Sequence, residues 1–453
     1  MLMNYVFYDF ETTGTSTRYD QFHQLGAILT NRDFKELERF EIRCRLAPHI
    51  IPGPKALEIT RVSPAMLTDP SLDSYYSAVK KLHQKFTEWG PATFIGYNSI
   101  SFDEEFMRQS FYQNLLPPFI TNTKGSNRAD ALTMVKAVRS ICPSIMKYPT
   151  SDKGAPVLKL DQLAPINGFS HANAHDAIAD VEATIFITKL IRDRAPDLFN
   201  KMILLGEKKY VQTITNRQMF VLVNYYRGSV SKKVVCPITT NPNNPSEVIL
   251  FDLTFDPNKF KDQSVDDITK TFKKPKRPYQ RIKVNQQPLL FTLDELPDDF
   301  DLPSFDHSQY EEKCQLIETL EQLKQNSGEA LKTRSPKSEG FIELEDRVYE
   351  GFPSNFDKNL MQSFHAADWK DKLDIATQFE DKRYLGLANR ILYEHNPKLL
   401  PDRVREEGKA WVKRRHTSPS DLWRTVEQGI KELDQIDKST DLGKAIVEFF
   451  MKY

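Results

Sequence analysis

The hydrophobic and polar positions at the start of the chain alternate between the periods of strands and of helices. Four apolar runs predict strands, at Tyr5–Phe10, Gln24–Thr30, Phe34–Leu46 and Ala92–Tyr97. Helical spacing marks four longer segments, at Asp73–Trp89, Asp103–Leu115, Asp130–Ile141 and Ala174–Arg194. Strands that mostly come first and helices that come later predict an α/β domain, with a mixed sheet flanked by helices.

The pattern changes after about residue 200. Short β-type runs occur at Val221–Tyr226, Lys233–Ile238 and Val248–Leu253, and the turn-forming segment Asn241–Pro245 separates two of them. These runs predict a small β-barrel or open sheet. Residues 294–345 are acidic, then helical, then rich in Lys, Ser and Gly, as expected of a connecting segment.

Helical spacing dominates from Val348 to the end of the chain, where Trp369, Trp411 and Trp423 are expected to anchor a core. A chain of 453 residues also exceeds what one ordinary core holds. We therefore predict three domains, at residues 1–197, 198–345 and 346–453.

The composition restricts the class of protein and its compartment, but it does not indicate a reaction. The chain is 40% hydrophobic and 27% charged, and 62 basic residues balance 62 acidic ones, so nucleic-acid affinity would require local basic patches. Four scattered cysteines without a Cys-x-x-Cys pair argue against structural zinc and disulfides. The N-terminus shows no signal-peptide pattern and no run of about 18 apolar residues exists. We expect a cytoplasmic protein without membrane association.

Two acids lie near the end of the first predicted strand. Asp9 and Glu11 are two residues apart, so their side chains share one face of the strand. Buried carboxylates without a partner are costly, and a divalent cation with oxygen ligands would compensate them. The alternative is a strand end at which both acids reach water.

Three more residues extend this acidic set. Asp103 follows an apolar strand and is predicted to open a helix, where the helix dipole alone would favour an acid. His175 and Asp180 are five residues apart, which corresponds to about 140° of rotation on one helix. Both reach one site only if His175 lies on the approach to the helix and Asp180 inside it. A capping or surface role is the alternative for His175.

These motifs together resemble the DEDD superfamily of 3′-to-5′ exonucleases, in its histidine subtype. Asp-x-Glu at residues 9–11, Asn-x-x-x-Phe-Asp at residues 98–103 and His-x-x-x-x-Asp at residues 175–180 occur in the order of that superfamily. The tyrosine subtype would place Tyr where this chain has Asp176.

Further segments are similar to the bacterial exonuclease I family. They are Gly96–Asn98, Asn127–Asp130, Leu158–Leu160, Ser170–Thr184 and Tyr226–Gly228. The resemblance implies a ribonuclease H-like exonuclease domain, an SH3-like β-barrel domain and an all-helical C-terminal domain. It also implies a monomer that encloses single-stranded DNA and binds the acidic C-terminal tail of single-stranded-DNA-binding protein.

The resemblance assigns roles to the acidic set. Asp9, Glu11 and Asp180 would hold a first Mg²⁺, and Asp9 with Asp103 would hold a second. His175 would take the proton of the attacking water, and 5′-mononucleotides would be released from the 3′ end. Mn²⁺ is also compatible with oxygen ligands.

Candidate substrate-binding residues follow from the same resemblance. Besides Glu11 these are Lys159, which stands where the family has arginine, with Arg108, Arg128, Lys136 and the aromatic Phe119. Each alone could equally be a surface charge or a core residue. Together they offer phosphate contacts and a stacking face for a single strand.

Two segments leave alternatives open. The basic run from Lys270 to Lys283 is either a solvated loop, a wall of the DNA channel or a dock for an acidic peptide. Arg61 stands where the family usually has Gly after Thr, which makes the loop shape there uncertain.

We predict a Mg²⁺-dependent 3′-to-5′ exodeoxyribonuclease for single-stranded DNA that acts in DNA repair and recombination. The rivals are an RNA-trimming or proofreading nuclease of the same superfamily, and a non-catalytic protein that binds single-stranded nucleic acid. Proofreading and RNA-trimming relatives usually lack the two trailing domains, and a non-catalytic protein would be expected to have lost a ligand acid.

Overall fold

The computed structural model describes residues 3–170, 176–297, 300–302, 306–333 and 343–453. The chain divides into two compact units. The first comprises residues 1–126, 171–182 and 340–453, and the second comprises residues 127–170 and 183–339.

The first unit begins with a mixed sheet and its helices. Its early elements are β1 (Asn4–Thr12), β2 (Phe22–Thr30), β3 (Glu36–Arg43), α1 (Pro54–Thr60), α2 (Pro64–Leu67), α3 (Tyr75–Trp89), β4 (Ala92–Gly96) and α4 (Asp103–Gln113). Within this unit the strand order is β3-β2-β1-β4. Strand β1 pairs antiparallel with β2 and parallel with β4, so that β1 lies in the interior of the sheet.

The alternation of side chains along β1 places its core residues on one face and its two acids on the other. Val6, Tyr8 and Phe10 join a buried cluster that includes Leu82 and Phe86 of α3. Because neighbouring side chains in a strand point to opposite faces, Asp9 and Glu11 lie on the other face of β1. The apolar packing thus orients the two acids.

The second unit carries the antiparallel sheet. Its elements are β5 (Asn127–Asp130), α5 (Ala131–Ile141), α6 (Leu160–Ile166), α7 (Ala177–Arg194, which starts in the first unit), α8 (Pro196–Leu205), α9 (Lys208–Thr215), β6 (Phe220–Tyr226), β7 (Ser229–Asn241), β8 (Asn244–Asp252), α10 (Val265–Thr271), β9 (Tyr279–Lys283), β10 (Leu290–Phe291), α11 (His307–Thr319) and α12 (Glu321–Thr333). Strands β6 to β10 form a sheet of order β10-β6-β7-β8-β9 in which all neighbours are antiparallel.

The C-terminal region belongs to the first unit and is helical. Its elements are α13 (Asn355–Ala366), α14 (Lys372–Ala376), α15 (Lys382–His395), α16 (Asp402–Thr417), α17 (Val426–Glu432) and α18 (Asp441–Phe450). Helices α13 to α15 share a core with Tyr76 and Tyr112. Helix α18 packs with Leu57 and Leu67 of the short helices α1 and α2.

The structure confirms the predicted fold class and most elements. Strand β3 is shorter than predicted. The elements that were not predicted are α1, α2, α6, α8, α9, α10, β5, β9 and β10. Trp411 and Trp423 are buried as expected. The domain boundaries at residues 197 and 345 stay predictions. None of the helices in the described ranges is long and apolar enough to span a bilayer.

The backbone at Arg61 shows the shape of the loop in which the family usually has glycine. It ends α1 in the left-handed conformation, with φ 55° and ψ 30°. Glycine adopts this conformation at little cost, whereas other residues pay roughly 1 kcal/mol. The turn therefore keeps a glycine-type shape with arginine at this position.

Candidate active site

Strand β1 presents Asp9 and Glu11 opposite two residues of β2. Asp9 pairs with Gly26 and Glu11 pairs with Gln24. Gly26 is required here because a Cβ added to it would lie 2.7 Å from the backbone of Ala177 and Ile178. The absence of a side chain at Gly26 therefore lets the start of α7 approach the sheet.

The N-terminus of α7 is anchored by Asp176. Its carboxylate accepts hydrogen bonds from Gln24 Nε2 at 2.9 Å and Arg43 Nη2 at 3.0 Å, and it also caps Ala179 N. Asp176 is thus engaged by side chains of β2 and β3. This anchor places Asp180, one turn further along α7, above the acids of β1.

Asp9, Glu11 and Asp180 converge as the sequence predicted. Each offers a carboxylate oxygen, and these oxygens lie within 4.8 Å of one another. Asp103 opens α4, is 4% exposed, and accepts a hydrogen bond from Phe10 N at 3.3 Å. It contacts the strand that carries the other two acids.

The pKa values of Asp9 and Glu11 are both raised by their surroundings. Burial raises the pKa of Asp9 well above its usual range, and Asp103, Glu11 and Asp180 raise it further. Burial and the charges of Asp180, Asp103 and Asp176 raise the pKa of Glu11 to about 9, while Arg43 opposes the shift. Mutual repulsion of this kind is relieved by a cation between the carboxylates.

The donor set fits a hard divalent cation. Three carboxylates from two elements supply oxygen ligands only, and oxygen ligands suit Mg²⁺ or Mn²⁺ better than softer ions. Asp9, Glu11 and Asp180 could hold one ion, and Asp103 is placed to contribute to a second beside Asp9.

His175, the predicted general base, lies outside the described residues. Its chain neighbour Asp176 is described and firmly held. The role of His175 therefore stays a prediction.

Two of the predicted DNA-contact arginines lie in the interior. Arg108 is 6% exposed and pairs with Glu104 at 3.1 Å and Glu105 at 2.9 Å. Arg128 is 4% exposed and donates to the carbonyl of Asn285 at 2.7 Å. Both guanidinium groups have internal partners, and direct phosphate contact by them stays a prediction.

The other predicted contacts are more accessible. Lys159 is exposed at the start of α6, and Lys136 on α5 is half-buried. Phe119 is also half-buried, and its ring lies 6.0 Å from that of Tyr349 and 5.7 Å from that of Phe352. DNA contact by these residues stays a prediction.

Several residues that support the site were not predicted from the sequence. Gln24 and Arg43 hold Asp176, and buried Glu104 accepts hydrogen bonds from Tyr8 at 3.3 Å and Thr121 at 3.0 Å. A polar residue within the apolar run of β2 was a signal for Gln24. The four-residue spacing of Glu104 and Arg108 was a signal for that ion pair.

Known protein families match most of the chain. Three family models match, the exonuclease model at residues 6–188, the exonuclease I SH3-like domain at 208–332 and the exonuclease I C-terminal domain at 343–453. The chain belongs to the exonuclease I family. The order of the three matches is the order predicted for that family.

Relatives within the exonuclease I family align over most of the chain. Exodeoxyribonuclease I of Haemophilus influenzae is 28% identical over 91% of this chain and 90% of its own length. The Escherichia coli enzyme is 27% identical over 91% and 89%. DNA polymerase III PolC-type of Staphylococcus haemolyticus matches only 40% of this chain and 11% of its own, at 29% identity.

Solved structures share the exonuclease I fold. Exonuclease I from Methylocaldum szegediense has a TM-score of 0.87 at 24% identity, over 100% of this chain and 98% of its own. E. coli exonuclease I in complex with a dA16 oligonucleotide has a TM-score of 0.86 at 24% identity, over 100% and 99%.

Proposed function

We propose that this protein is a divalent-metal-dependent 3′-to-5′ exodeoxyribonuclease that degrades single-stranded DNA to 5′-mononucleotides in DNA repair and recombination. The observation that carries the proposal is the convergence of Asp9, Glu11 and Asp180, with Asp103 beside them, in a chain with the exonuclease I domain order. Relatives named exodeoxyribonuclease I and a structure of E. coli exonuclease I with an oligonucleotide support the substrate.

The roles proposed for the acids rest on their placement and on the family resemblance, and the role of His175 rests on the resemblance alone. Asp9, Glu11 and Asp180 bind one Mg²⁺, and Asp9 with Asp103 binds another. When bound, such ions lower the pKa of water and stabilise charge on the leaving 3′ oxygen. Asp176, held by Gln24 and Arg43, fixes the start of the helix that carries Asp180. His175 accepts the proton of the attacking water.

Magnesium is proposed as the physiological ion. The all-carboxylate donor set suits Mg²⁺ and tolerates Mn²⁺. A zinc-bound form of the E. coli exonuclease I–DNA complex is among the similar structures, at a TM-score of 0.85 and 23% identity, which supports a divalent-metal site in this fold. Titration of activity with Mg²⁺, Mn²⁺ and Zn²⁺ ranks the three ions.

The proofreading alternative is less well supported. The PolC-type polymerase matches the exonuclease region alone, whereas the SH3-like and C-terminal models account for residues 208–332 and 343–453. A non-catalytic binding protein is also disfavoured, because all four acids are retained.

Digestion of matched substrates tests the function. Single-stranded DNA, duplex DNA and RNA are incubated with the protein, with Mg²⁺ or with EDTA. We expect a 5′-labelled single strand to shorten stepwise, only with Mg²⁺. Immediate release of a labelled mononucleotide would contradict the polarity, and preferred digestion of RNA would contradict the substrate.

Two associations complete the proposal. We expect a monomer, which light scattering measures. We also expect binding of the acidic C-terminal tail of single-stranded-DNA-binding protein, for which the Lys270–Lys283 run is a candidate dock. Fluorescence anisotropy with the tail peptide, at increasing salt, tests this contact; a charge-reversed peptide serves as its control.

A further inference from the structure

The loop that follows Glu11 is organised around one buried carboxylate. This loop, residues 13–20, leaves β1 directly after the register shift at Glu11 and Thr12. Asp20 accepts hydrogen bonds from Ser16 N at 2.9 Å and from Thr13 Oγ1 at 3.2 Å. Gly14 is needed beneath it, since an added Cβ would collide with the Asp20 carboxylate. The shape of the loop therefore depends on Asp20.

The counter-charge of Asp20 comes from the C-terminal region. Burial raises the pKa of Asp20, and Arg424, whose Nη1 lies 3.3 Å away, opposes the shift. The Asp20 and Arg424 side chains are 7% and 18% exposed, so solvent screens the pair weakly. The loop's own arginine, Arg18, instead pairs with Asp346 at 2.6 Å.

Arg424 also touches the segment that supports the loop from below. A Cβ added to Gly53 would lie 3.1 Å from the Arg424 guanidinium carbon, and Gly53 N donates to the carbonyl of Thr13 at 2.7 Å. The Nε of Arg424 donates to the carboxylate of Glu432 at 2.8 Å, which fixes the arginine side chain. Arg424 thus contacts Asp20 at the end of the loop and Gly53, which binds the start of the loop.

A second arginine of the C-terminal region holds the same loop. The guanidinium of Arg415 lies 4.8 Å from the ring of Tyr19 and 4.8 Å from that of Trp423. Its Nη2 donates to the carbonyl of Tyr19 at 3.3 Å. The contacts of Arg415 and Arg424, together with the pair of Arg18 and Asp346, therefore tie residues 13–20 to the C-terminal region.

We propose that Arg424 is a positioning residue of the nuclease site, supplied by the C-terminal region. By neutralising Asp20, it holds the loop that continues from Glu11, and with it the position of that acid in the site. The inference rests on the proposed function for its kinetic consequence. Removing Arg424 alone leaves a buried charge without its partner, whereas removing both charges relieves that penalty.

The test compares Arg424→Met, Arg424→Lys and the double variant Asp20→Asn with Arg424→Met. With single-stranded DNA at saturating Mg²⁺, we expect Arg424→Met to lower kcat about ten-fold and to change KM less than about two-fold. The reason is that displacement of residues 13–20 would misalign the reacting end of the strand more than it would weaken strand binding. Arg424→Lys should recover most of kcat, and the double variant should exceed the single one.

A second readout does not depend on turnover. Hydrogen exchange of the amides in residues 13–20 should accelerate in Arg424→Met, while α13 to α15 exchange as in the unmodified protein. Arg403→Met is the matched control, since Arg403 is 89% exposed and pairs with Glu407 on its own helix; it should leave kcat and loop exchange unchanged.

The outcomes separate this inference from the proposed function. Unchanged loop exchange in Arg424→Met overturns the inference, and so does unchanged kcat or a double variant as impaired as the single one. If the unmodified protein fails to degrade single-stranded DNA, the proposed function is wrong, and hydrogen exchange still decides whether Arg424 holds the loop.

Discussion

Two clusters of charged residues in the first unit, one partly buried and one buried, surround their carboxylates with charges of opposite sign. Asp9, Glu11 and Asp180 face one another, and burial with mutual repulsion raises the pKa values of Asp9 and Glu11, while Arg43 opposes the shift of Glu11. Glu345, in contrast, lies 2.9 Å from Arg390 and 3.3 Å from Arg415. Burial alone would raise the pKa of Glu345, but the two arginines outweigh it and lower the pKa.

The comparison shows how to distinguish a binding site from an internal ion network. Both clusters remove carboxylates from water, which is costly unless charge is balanced. The Glu345 cluster is balanced within the chain, so it holds α15 and α16 to the start of the C-terminal region. In the acidic cluster, the charge of Asp180 instead raises the pKa values of Asp9 and Glu11, which favours binding of a cation from solution.

The largest expected effect is on the acidic cluster. Asp180→Asn removes one charge but keeps the shape, and we expect release of mononucleotides to fall about 10³-fold. The metal-free protein should unfold at the same or a higher temperature, because repulsion is reduced. Activity assays with calorimetry measure both quantities.

Asp193→Asn on the same helix is the control for Asp180→Asn. Asp193 is 41% exposed and pairs with Lys189, so activity should not change. Undiminished activity of Asp180→Asn would remove Asp180 from the ligand set.

Removal of a carboxylate charge from the Glu345 cluster should lower stability, in contrast to Asp180→Asn. Glu345→Gln leaves Arg390 and Arg415 without their shared partner, which should destabilise the protein by about 3–5 kcal/mol. Denaturation with guanidinium chloride measures the loss. Glu427→Gln, whose carboxylate pairs at the surface with Lys431, should leave the midpoint unchanged. Increased stability of Glu345→Gln would contradict the comparison.

The sequence predicted the first cluster better than the second, for physical reasons. Period-two alternation placed Asp9 and Glu11 on one face, and helical spacing placed Asp103 at a helix start. The approach of Asp180 was predicted only through family resemblance, since Gly26 and Asp176 act through tertiary contacts. The pairing of Asp20 with Arg424 joins residues 404 positions apart, and no local pattern reports such a contact.

Failures of prediction have similar causes. Helices α1 and α2 span 7 and 4 residues, too short for hydrophobic periodicity to register. Arg108 was expected on the strand path because it matches a basic position of the family. Its partners Glu104 and Glu105 lie on the same helix, and only the structure shows that the pairing is buried.

Gly26→Ala should produce an intermediate effect by moving one member of the acidic cluster. The new Cβ would meet the backbone of Ala177 and Ile178 at 2.7 Å, so α7 must shift away from β2. We expect a stability loss of about 1–3 kcal/mol and roughly ten-fold lower activity. Gly328→Ala is the control, because its Cβ would meet Pro242 at an ordinary 3.6 Å. Wild-type activity in Gly26→Ala would show that α7 tolerates the displacement.

The smallest expected effect is the pH dependence of metal stabilisation. The pKa of Glu11 is raised from 4.5 to about 9, so its protonated form favours folding at low pH and this contribution is lost as pH rises toward 9. Mg²⁺ must displace those protons, and its stabilisation should grow between pH 5.5 and 8.5 by on the order of 1 kcal/mol. Melting temperatures with Mg²⁺ and with EDTA measure the difference, about 2–4 °C per kcal/mol in smaller chains. Glu11→Gln should flatten the trend, and a larger Mg²⁺ effect at pH 5.5 than at pH 8.5 would contradict the charge state assigned to the acids of β1.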